Sequence, residues 1–392
     1  MKPAFWISLF IVFYTYLGYG MLLYVLVKIR MILHGKRAVP IAGQSNLPSC
    51  TLIIAAYNEE DFIRKKIENT LALKYPGDKL ELVFITDGSD DKTPLILQEF
   101  PDIKLMHVPE RSGKVAAMHR AAEQVSTEII IFTDANTILN KNALLNIARH
   151  YSDPKVGAVA GEKRISLDEE ADAGAAGEGF YWKYESTLKK WDSELYSVVG
   201  AAGELFSVRT NLYEPVPNDT ILDDFMISML IAARGYRIVY EPDAYALEDS
   251  SENITEELKR KVRIAAGGIQ SILRLTALLN IFKYGTLSFQ YISHRVLRWT
   301  ITPILLPVIF FMNLAIVINT GELLYKLLFA GQLLFYLMAF TGLVLEKRQL
   351  RLKILFIPYY FCVMNYAILA GFNRYFVTTQ SAVWEKAKRK AS

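Results

Sequence analysis

TLIIAAYNEE, residues 51–60, is a short apolar, β-rich run that stops abruptly in a polar, acidic turn. The same composition returns in LELVFITDGSDD at 80–91 and in EIIIFTDAN at 128–136, with a further β-rich run at 103–107. Helix-like stretches at 59–73 and 113–125 separate these runs. Alternation of strand and helix at this spacing predicts a doubly wound α/β sheet with helices on both faces. In such sheets ligands bind beyond the carboxyl ends of the strands. The three acidic turns therefore converge on one crevice.

Any one of these turns can also be read as a helix N-cap, because Asp, Ser and Asn accept hydrogen bonds from free backbone amides there. That reading weakens for Asp87 and Asp134, which directly follow strongly apolar strands where a buried carboxylate is costly without a partner. Asp134-Ala135-Asn136 has a spacing at which two oxygen ligands can face one hard cation such as Mg2+ or Mn2+, although a lone D-x-N is common by chance. Gly113-Lys114 opens a helix whose N-terminus already favours anions; a surface lysine is the plain alternative. Farther along, Asp223-Asp224 sits between apolar neighbours before a helix-like run, where one carboxylate can serve as a base or both can be ordinary N-terminal acids. The cluster Lys259, Arg260, Lys261, Arg263 suits a diphosphate or anionic headgroups.

Working outward, the chain has 392 residues, enough for two or three domains at about 100 to 200 residues each. It is 52% hydrophobic and 21% charged, which is apolar for a water-soluble protein. The excess lies at the two ends: residues 4–27, 299–321, 327–345 and 354–373 carry no charged side chain. Each is long enough to cross about 30 Å of hydrocarbon as a helix, and four such runs argue against buried core helices. The first is longer than a signal-peptide core and no A-x-A site follows it, so an uncleaved anchor is expected. Lys28, Arg30, Lys36 and Arg37 follow this run while Lys2 alone precedes it, placing the central region on the cytoplasmic side. The charge-poor link at Glu322 and Lys326 and the basic segment Lys347, Arg348, Arg351, Lys353 agree with the second and third runs crossing out and back. Lys386, Lys388, Arg389 and Lys390 run against the charge rule if the last run is a simple crossing, and the sequence leaves that open. Residues 264–298 mix apolar and basic residues in a pattern that suits interfacial helices or helices packed on the domain.

A formal net charge of +4 without a dense basic face excludes a nucleic-acid partner. Cys50 and Cys362 permit neither a disulfide framework nor a cysteine zinc site. The five histidines are scattered and read as structural or surface residues. A transporter is disfavoured because no ionisable residue lies within the four apolar runs.

The order of motifs resembles the membrane-bound family 2 glycosyltransferases, which include processive synthases of cellulose, hyaluronan and poly-N-acetylglucosamine. Tyr57-Asn58-Glu59-Glu60, Asp87-Gly88-Ser89-Asp90-Asp91 and Arg111-Ser112-Gly113-Lys114 resemble the family's Y-N-E-E, D-G-S-x-D and R-x-G-K segments. Asp134-Ala135-Asn136 stands in the place of its D-x-D, Asp223-Asp224 in that of its acidic pair, and Gly203-Glu204-Leu205 in that of its acceptor-side turn, with Arg209 shortly after. The resemblance implies a GT-A, Rossmann-like domain at 45–257, an N-terminal transmembrane helix at 1–29, interfacial helices at 258–298, C-terminal spans at 299–376 and a basic tail at 377–392. It implies an integral membrane enzyme of the cell or plasma membrane that transfers sugar from a nucleotide sugar, a UDP-sugar, with inversion. The acceptor is a growing polysaccharide; the alternative is single addition to a lipid carrier or glycolipid.

By the same resemblance Tyr57, Glu59, Asp87, Lys114, Asp134 and Arg263 bind the nucleotide sugar. Gly203, Glu204 and Asp223 face the acceptor, and Asp224 is the base. Asp134 and Asn136 hold a divalent cation, Mg2+ or Mn2+. Two positions depart from the family: Asn136 is a neutral ligand, and Arg260-Lys261-Val262-Arg263-Ile264 lacks the Gln and Trp of the processive Q-x-x-R-W segment.

Overall fold

The computed structural model describes residues 1–35, 37, 47–165, 173–248, 254–348 and 352–377. The basic tail beyond residue 377 lies outside them. Among the described residues eight strands form one sheet: β1 (Cys50–Ala56), β2 (Leu80–Asp87), β3 (Lys104–Val108), β4 (Ile129–Asp134), β5 (Thr137–Leu139), β6 (Val156–Ile165), β7 (Leu205–Arg209) and β8 (Arg237–Glu248). Their order is β3-β2-β1-β4-β7-β6-β8-β5.

The strands expected from the alternation all form, within a residue of their expected starts and ends, and β1 to β4 pair in parallel as β3-β2-β1-β4. β7 then enters antiparallel between β4 and β6, which makes the sheet mixed. Both faces are covered, which is why the strands read as continuous apolar runs. Ile53, Ile85, Ile130 and Phe132 pack on one face with helices Lys114–Ala122 and Asp223–Ala233. Leu52, Ile54, Phe84, Ile129 and Ile131 pack on the other with helices Ile63–Leu71 and Ala143–Ala148.

The helix expected from residue 59 starts later, at Ile63, because the backbone ahead of it is engaged by the neighbouring turn. The Asn58 amide donates to Ser89 Oγ at 3.2 Å, the Glu59 amide to Thr93 Oγ1 at 2.8 Å and the Glu60 amide to Asp91 Oδ2 at 3.0 Å. Asn58 adopts φ +53°, a left-handed conformation that asparagine tolerates. Its side chain in turn accepts from the Asp90 amide. Ser89, Asp90 and Asp91 therefore fasten two strand-end turns together.

Among the described residues four helices are long and apolar enough to cross a membrane: Lys2–His34, Ile301–Thr320, Leu323–Glu346 and Ile354–Val377. At most 33% of each apolar window is buried inside the molecule, leaving broad apolar surface of the kind lipid covers. Polar pairs tie them together: Trp6 Nε1 donates to Tyr325 Oη at 3.1 Å, Tyr16 Oη to Asn365 Oδ1 at 2.6 Å, and Asn313 Nδ2 to Gln332 Oε1 at 2.9 Å. The last of the four also docks on the amphipathic helix Ile254–Arg274, where a Cβ on Gly371 would lie 2.6 Å from Ala265 Cβ. That contact joins the apolar helices to the element carrying Arg263.

Candidate active site

β2 delivers Asp87 to the carboxyl edge, where it organises the turn that begins the next helix. Its Oδ2 accepts from the amides of Ser112 (2.8 Å) and Gly113 (2.6 Å), and its Oδ1 from Arg120 Nη2 (2.8 Å). The buried carboxylate that looked costly in the sequence is thus satisfied by two amides and a guanidinium. Gly88 and Gly113 are required for this: both have positive φ, and a Cβ on Gly88 would lie 2.5 Å from Arg111 Cβ. Beside them the Arg111 guanidinium lies over the Tyr57 ring, 3.6 Å from its centroid. This flat surface is suited to a nucleobase. Glu59 is buried between the two turns.

Lys114, the first residue of its helix, points across to β4 and donates to Asp134 Oδ1 at 2.7 Å. Burial works against its ammonium, but Asp134, Asp223 and Asp224 outweigh that and hold Lys114 above the usual lysine range. Asp223 and Asp224 begin helix Asp223–Ala233. Asp223 is buried and its Oδ2 has no hydrogen-bond partner among the described residues. Burial first, and the adjoining Asp223 second, push the Asp224 carboxyl up to about 8 against the pull of Lys114. Gly203 closes the group: a Cβ there would sit 3.3 Å from Asp224 Oδ2 and 3.6 Å from Lys114 Nζ. A side chain there would crowd the Asp224 carboxyl and Lys114.

The structure therefore brings Lys114, Asp134, Gly203, Asp223 and Asp224 together. Arg263 acts on Asp223 and Asp134 electrostatically, while burial lowers its own pKa. Tyr57, Glu59 and Asp87 line the neighbouring edge. Glu204 is held by a buried lysine: its Oε1 accepts from Lys163 Nζ at 2.6 Å, and Lys163 also pairs with Glu248. Burial works to raise Glu204, yet Lys163 keeps it well below the usual carboxylate range. Arg209 does not join the site; it clamps the carbonyls of Val156, Tyr151 and Asp153.

Two residues escaped the sequence reading. Lys66 is fully buried beneath the Asp134 turn, donating to Thr137 O at 2.8 Å, and burial lowers it to about 7. Its signal was legible: Ile63, Lys66, Ile67 and Thr70 form one buried helical stripe with a lysine on it. Lys163 lies in a strand that alternation would have made half exposed.

Asp134 and Asn136 form a sparse donor set for a metal, and among the described residues no group of three or more His, Cys, Asp or Glu could hold one. Mg2+ and Mn2+ accept one or two protein oxygens when phosphate oxygens and waters supply the rest.

A mixed sheet of this order, with apolar helices at both ends of the chain, is the architecture of a GT-A glycosyltransferase tied to a membrane. Residues 51–215 match the family model described as Glycosyl transferase family 2, so the chain carries a family 2 glycosyltransferase domain. Over 242 residues it is 30% identical to the poly-beta-1,6-N-acetyl-D-glucosamine synthase of Staphylococcus aureus, covering 60% of this chain and 58% of that protein. The synthase of the same name from Staphylococcus epidermidis is 28% identical over 231 residues, covering 57% of this chain and 55% of that protein. The chain thus spans less than two thirds of these curated relatives. Among solved structures, the mannosyltransferase PcManGT from Pyrobaculum calidifontis in complex with GDP-Man and Mn2+ superposes with a TM-score of 0.70. It covers 95% of this chain and 99% of that chain at 24% identity, a likeness of fold.

Proposed function

We propose that this protein transfers a sugar from a nucleotide sugar, a UDP-sugar, to a hydroxyl of a growing glycan, with inversion at the anomeric carbon. The observation that carries the reading is the gathering of Asp223, Asp224, Lys114 and Asp134 around the open position at Gly203. Tyr57 and Arg111 form a platform for the base, and Asp87 fixes the Gly113–Lys114 turn along the diphosphate. Asp224 accepts the proton of the acceptor hydroxyl lodged beside Gly203 as that oxygen attacks. Its raised pKa matches a base working near neutral pH. Lys114 and Arg263 offset the charge that develops on the departing nucleoside diphosphate. A divalent cation held by Asp134 and Asn136 supplies further neutralisation of the diphosphate when bound. Asp223, Gly203 and Glu204, the last through its bond to Lys163, shape the acceptor side.

The basic residues flanking the first apolar helix support a cytoplasmic catalytic domain. Segment Ile281–Tyr284, with Phe282 99% exposed, supports an interfacial role for the stretch before the second apolar helix. The test is nucleoside diphosphate release from a panel of nucleotide sugars, with and without Mg2+ or Mn2+, in reconstituted membranes. Release from none of them sinks the reading, and product length separates polymer growth from single addition.

A further inference from the structure

Behind the catalytic edge lies a buried polar cluster with no part in the chemistry above. His294, completely buried, places Nδ1 2.6 Å from Asp192 Oδ2 and Nε2 3.2 Å from Glu185 Oε1. Asp192 also accepts from Tyr19 of the first apolar helix and from Gln290. Glu185 accepts from Arg295 Nη1 at 2.7 Å and from Arg298 Nη1 at 2.8 Å. The first apolar helix, helix Ala173–Leu195 and the π-helical turn Ile292–Val296 all meet here. Interruptions of this kind inside helices cost hydrogen-bond geometry and frequently mark functional sites.

Two guanidiniums, Arg295 and Arg298, meet on the Glu185 carboxylate. Arg298 also bonds Glu185, so the ion pair by itself does not single out Arg295. What distinguishes Arg295 is where the rest of its guanidinium goes. Nε donates to Val199 O at 3.3 Å, and the group lies 5.4 Å from the Trp299 ring centroid. Val199 begins the turn that carries Gly203 and Glu204. Trp299 packs at 5.4 Å on Phe225, the residue after Asp224. Phe225 fills the space a side chain at Gly200 would need, since a Cβ there would lie 2.1 Å from Phe225 Cδ2. Trp299 is seated on Gly268 in the same way, at 2.6 Å. From Arg295, one path runs through Val199 to the Gly203 turn and another through Trp299 and Phe225 to Asp224.

We propose that Arg295 is a positioning residue that sets Asp224 against the Gly203 turn, registering both on the polar cluster at the first apolar helix. The inference rests on the reading of Asp224 as the base. It follows from packing that a ring jammed into a glycine turn transmits displacement instead of absorbing it. The gap between Asp224 and Gly203 is a few ångströms, and misplacing a reacting group by about 1 Å costs on the order of a hundredfold in rate.

The test compares the full-length protein with Arg295→Gln and Arg295→Lys in nanodiscs. Both variants keep Arg298 and His294 on Glu185. Lysine keeps the charge but loses the planar contact with Trp299 and the Nε donor. The expected result is a kcat about tenfold lower or more in both variants, with donor KM within about twofold of the parent. Faster amide hydrogen exchange is expected at 199–205 and 222–226 and nowhere else in the domain. Full kcat in the lysine variant, a loss confined to KM, exchange unchanged at those segments, or exchange accelerated throughout the domain would each overturn it. Absence of turnover in the parent with every nucleotide sugar would refute the function instead, while the exchange pattern would still decide whether Arg295 governs these two segments.

Discussion

Replacing Asp224 by asparagine should move activity and stability in opposite directions. An aspartyl group with an ordinary value of 3.8 that is held at about 8 in the folded protein keeps its proton where the unfolded chain has lost it. Its folded pKa is raised, so its contribution to stability is fully present below 3.8 and declines as pH rises towards 8, flattening above that. Linkage puts the loss at about 2 kcal/mol at pH 5, 4 at pH 7 and 6 at pH 9, all ceilings for a pair coupled as closely as Asp223 and Asp224. A realised gain of about 1 to 2 kcal/mol at pH 7 is the working expectation, or several degrees in unfolding temperature. Asparagine nearly matches the shape, does not titrate and removes the repulsion with Asp223.

Removing the base should meanwhile lower kcat by about 10² to 10⁴ with little change in donor affinity. The parent enzyme should lose about tenfold in rate per pH unit below the base's pKa, measured with donor and cation saturating. The assays are nucleoside diphosphate release across pH and thermal unfolding at one scan rate at pH 5, 7 and 9. Parent-level turnover by Asp224→Asn would show that another group takes the proton. A stability difference that stayed constant from pH 5 to 9 would refute the account of why this carboxyl is raised.

Three further outcomes are expected. Asp134→Ala removes both the Lys114 partner at 2.7 Å and a proposed cation ligand; donor affinity should fall and half-saturating Mn2+ should rise by about tenfold. Unchanged metal dependence would discredit the site. Gly203→Ala places a methyl 3.3 Å from Asp224 Oδ2, so kcat should drop about tenfold or more at near-constant donor KM, and equal kinetics would show that the acceptor hydroxyl binds elsewhere. Phe282→Trp should add fluorescence that brominated acyl chains quench in nanodiscs, because Phe282 is 99% exposed beside Ile281 at 47%; unquenched added emission would place this segment in water.

The parallel half of the sheet was readable because β1, β2 and β4 are buried on both faces and end in polar turns, a change of composition that one sequence displays. The insertion of β7 between β4 and β6 was not readable. Local composition says nothing of which distant strand a short run will join. At the site, the residue types at strand ends announced themselves, yet their partners did not. Asp87, expected to bind the nucleotide sugar, has two amides and Arg120 as its protein partners. Glu204, expected on the acceptor side, is bonded to Lys163. Both outcomes come from residues between 25 and 41 positions away, beyond the reach of spacing arguments.

Charge bookkeeping explains why the site should be incomplete without its substrates. Asp223 and Asp224 adjoin, and Lys114, the nearest cation, is already committed to Asp134. Folding tolerates this because Asp224 can retain a proton. A diphosphate adds further negative charge to the same crevice, where Arg263 of the basic cluster is felt at both Asp134 and Asp223. Bringing in that anion with a divalent cation costs far less than bringing it in alone, since like charges a few ångströms apart in a partly buried site repel by several kcal/mol. A diphosphate and its cation together add little net charge, so under the proposed mechanism Lys114 remains the group that draws the Asp224 carboxyl down.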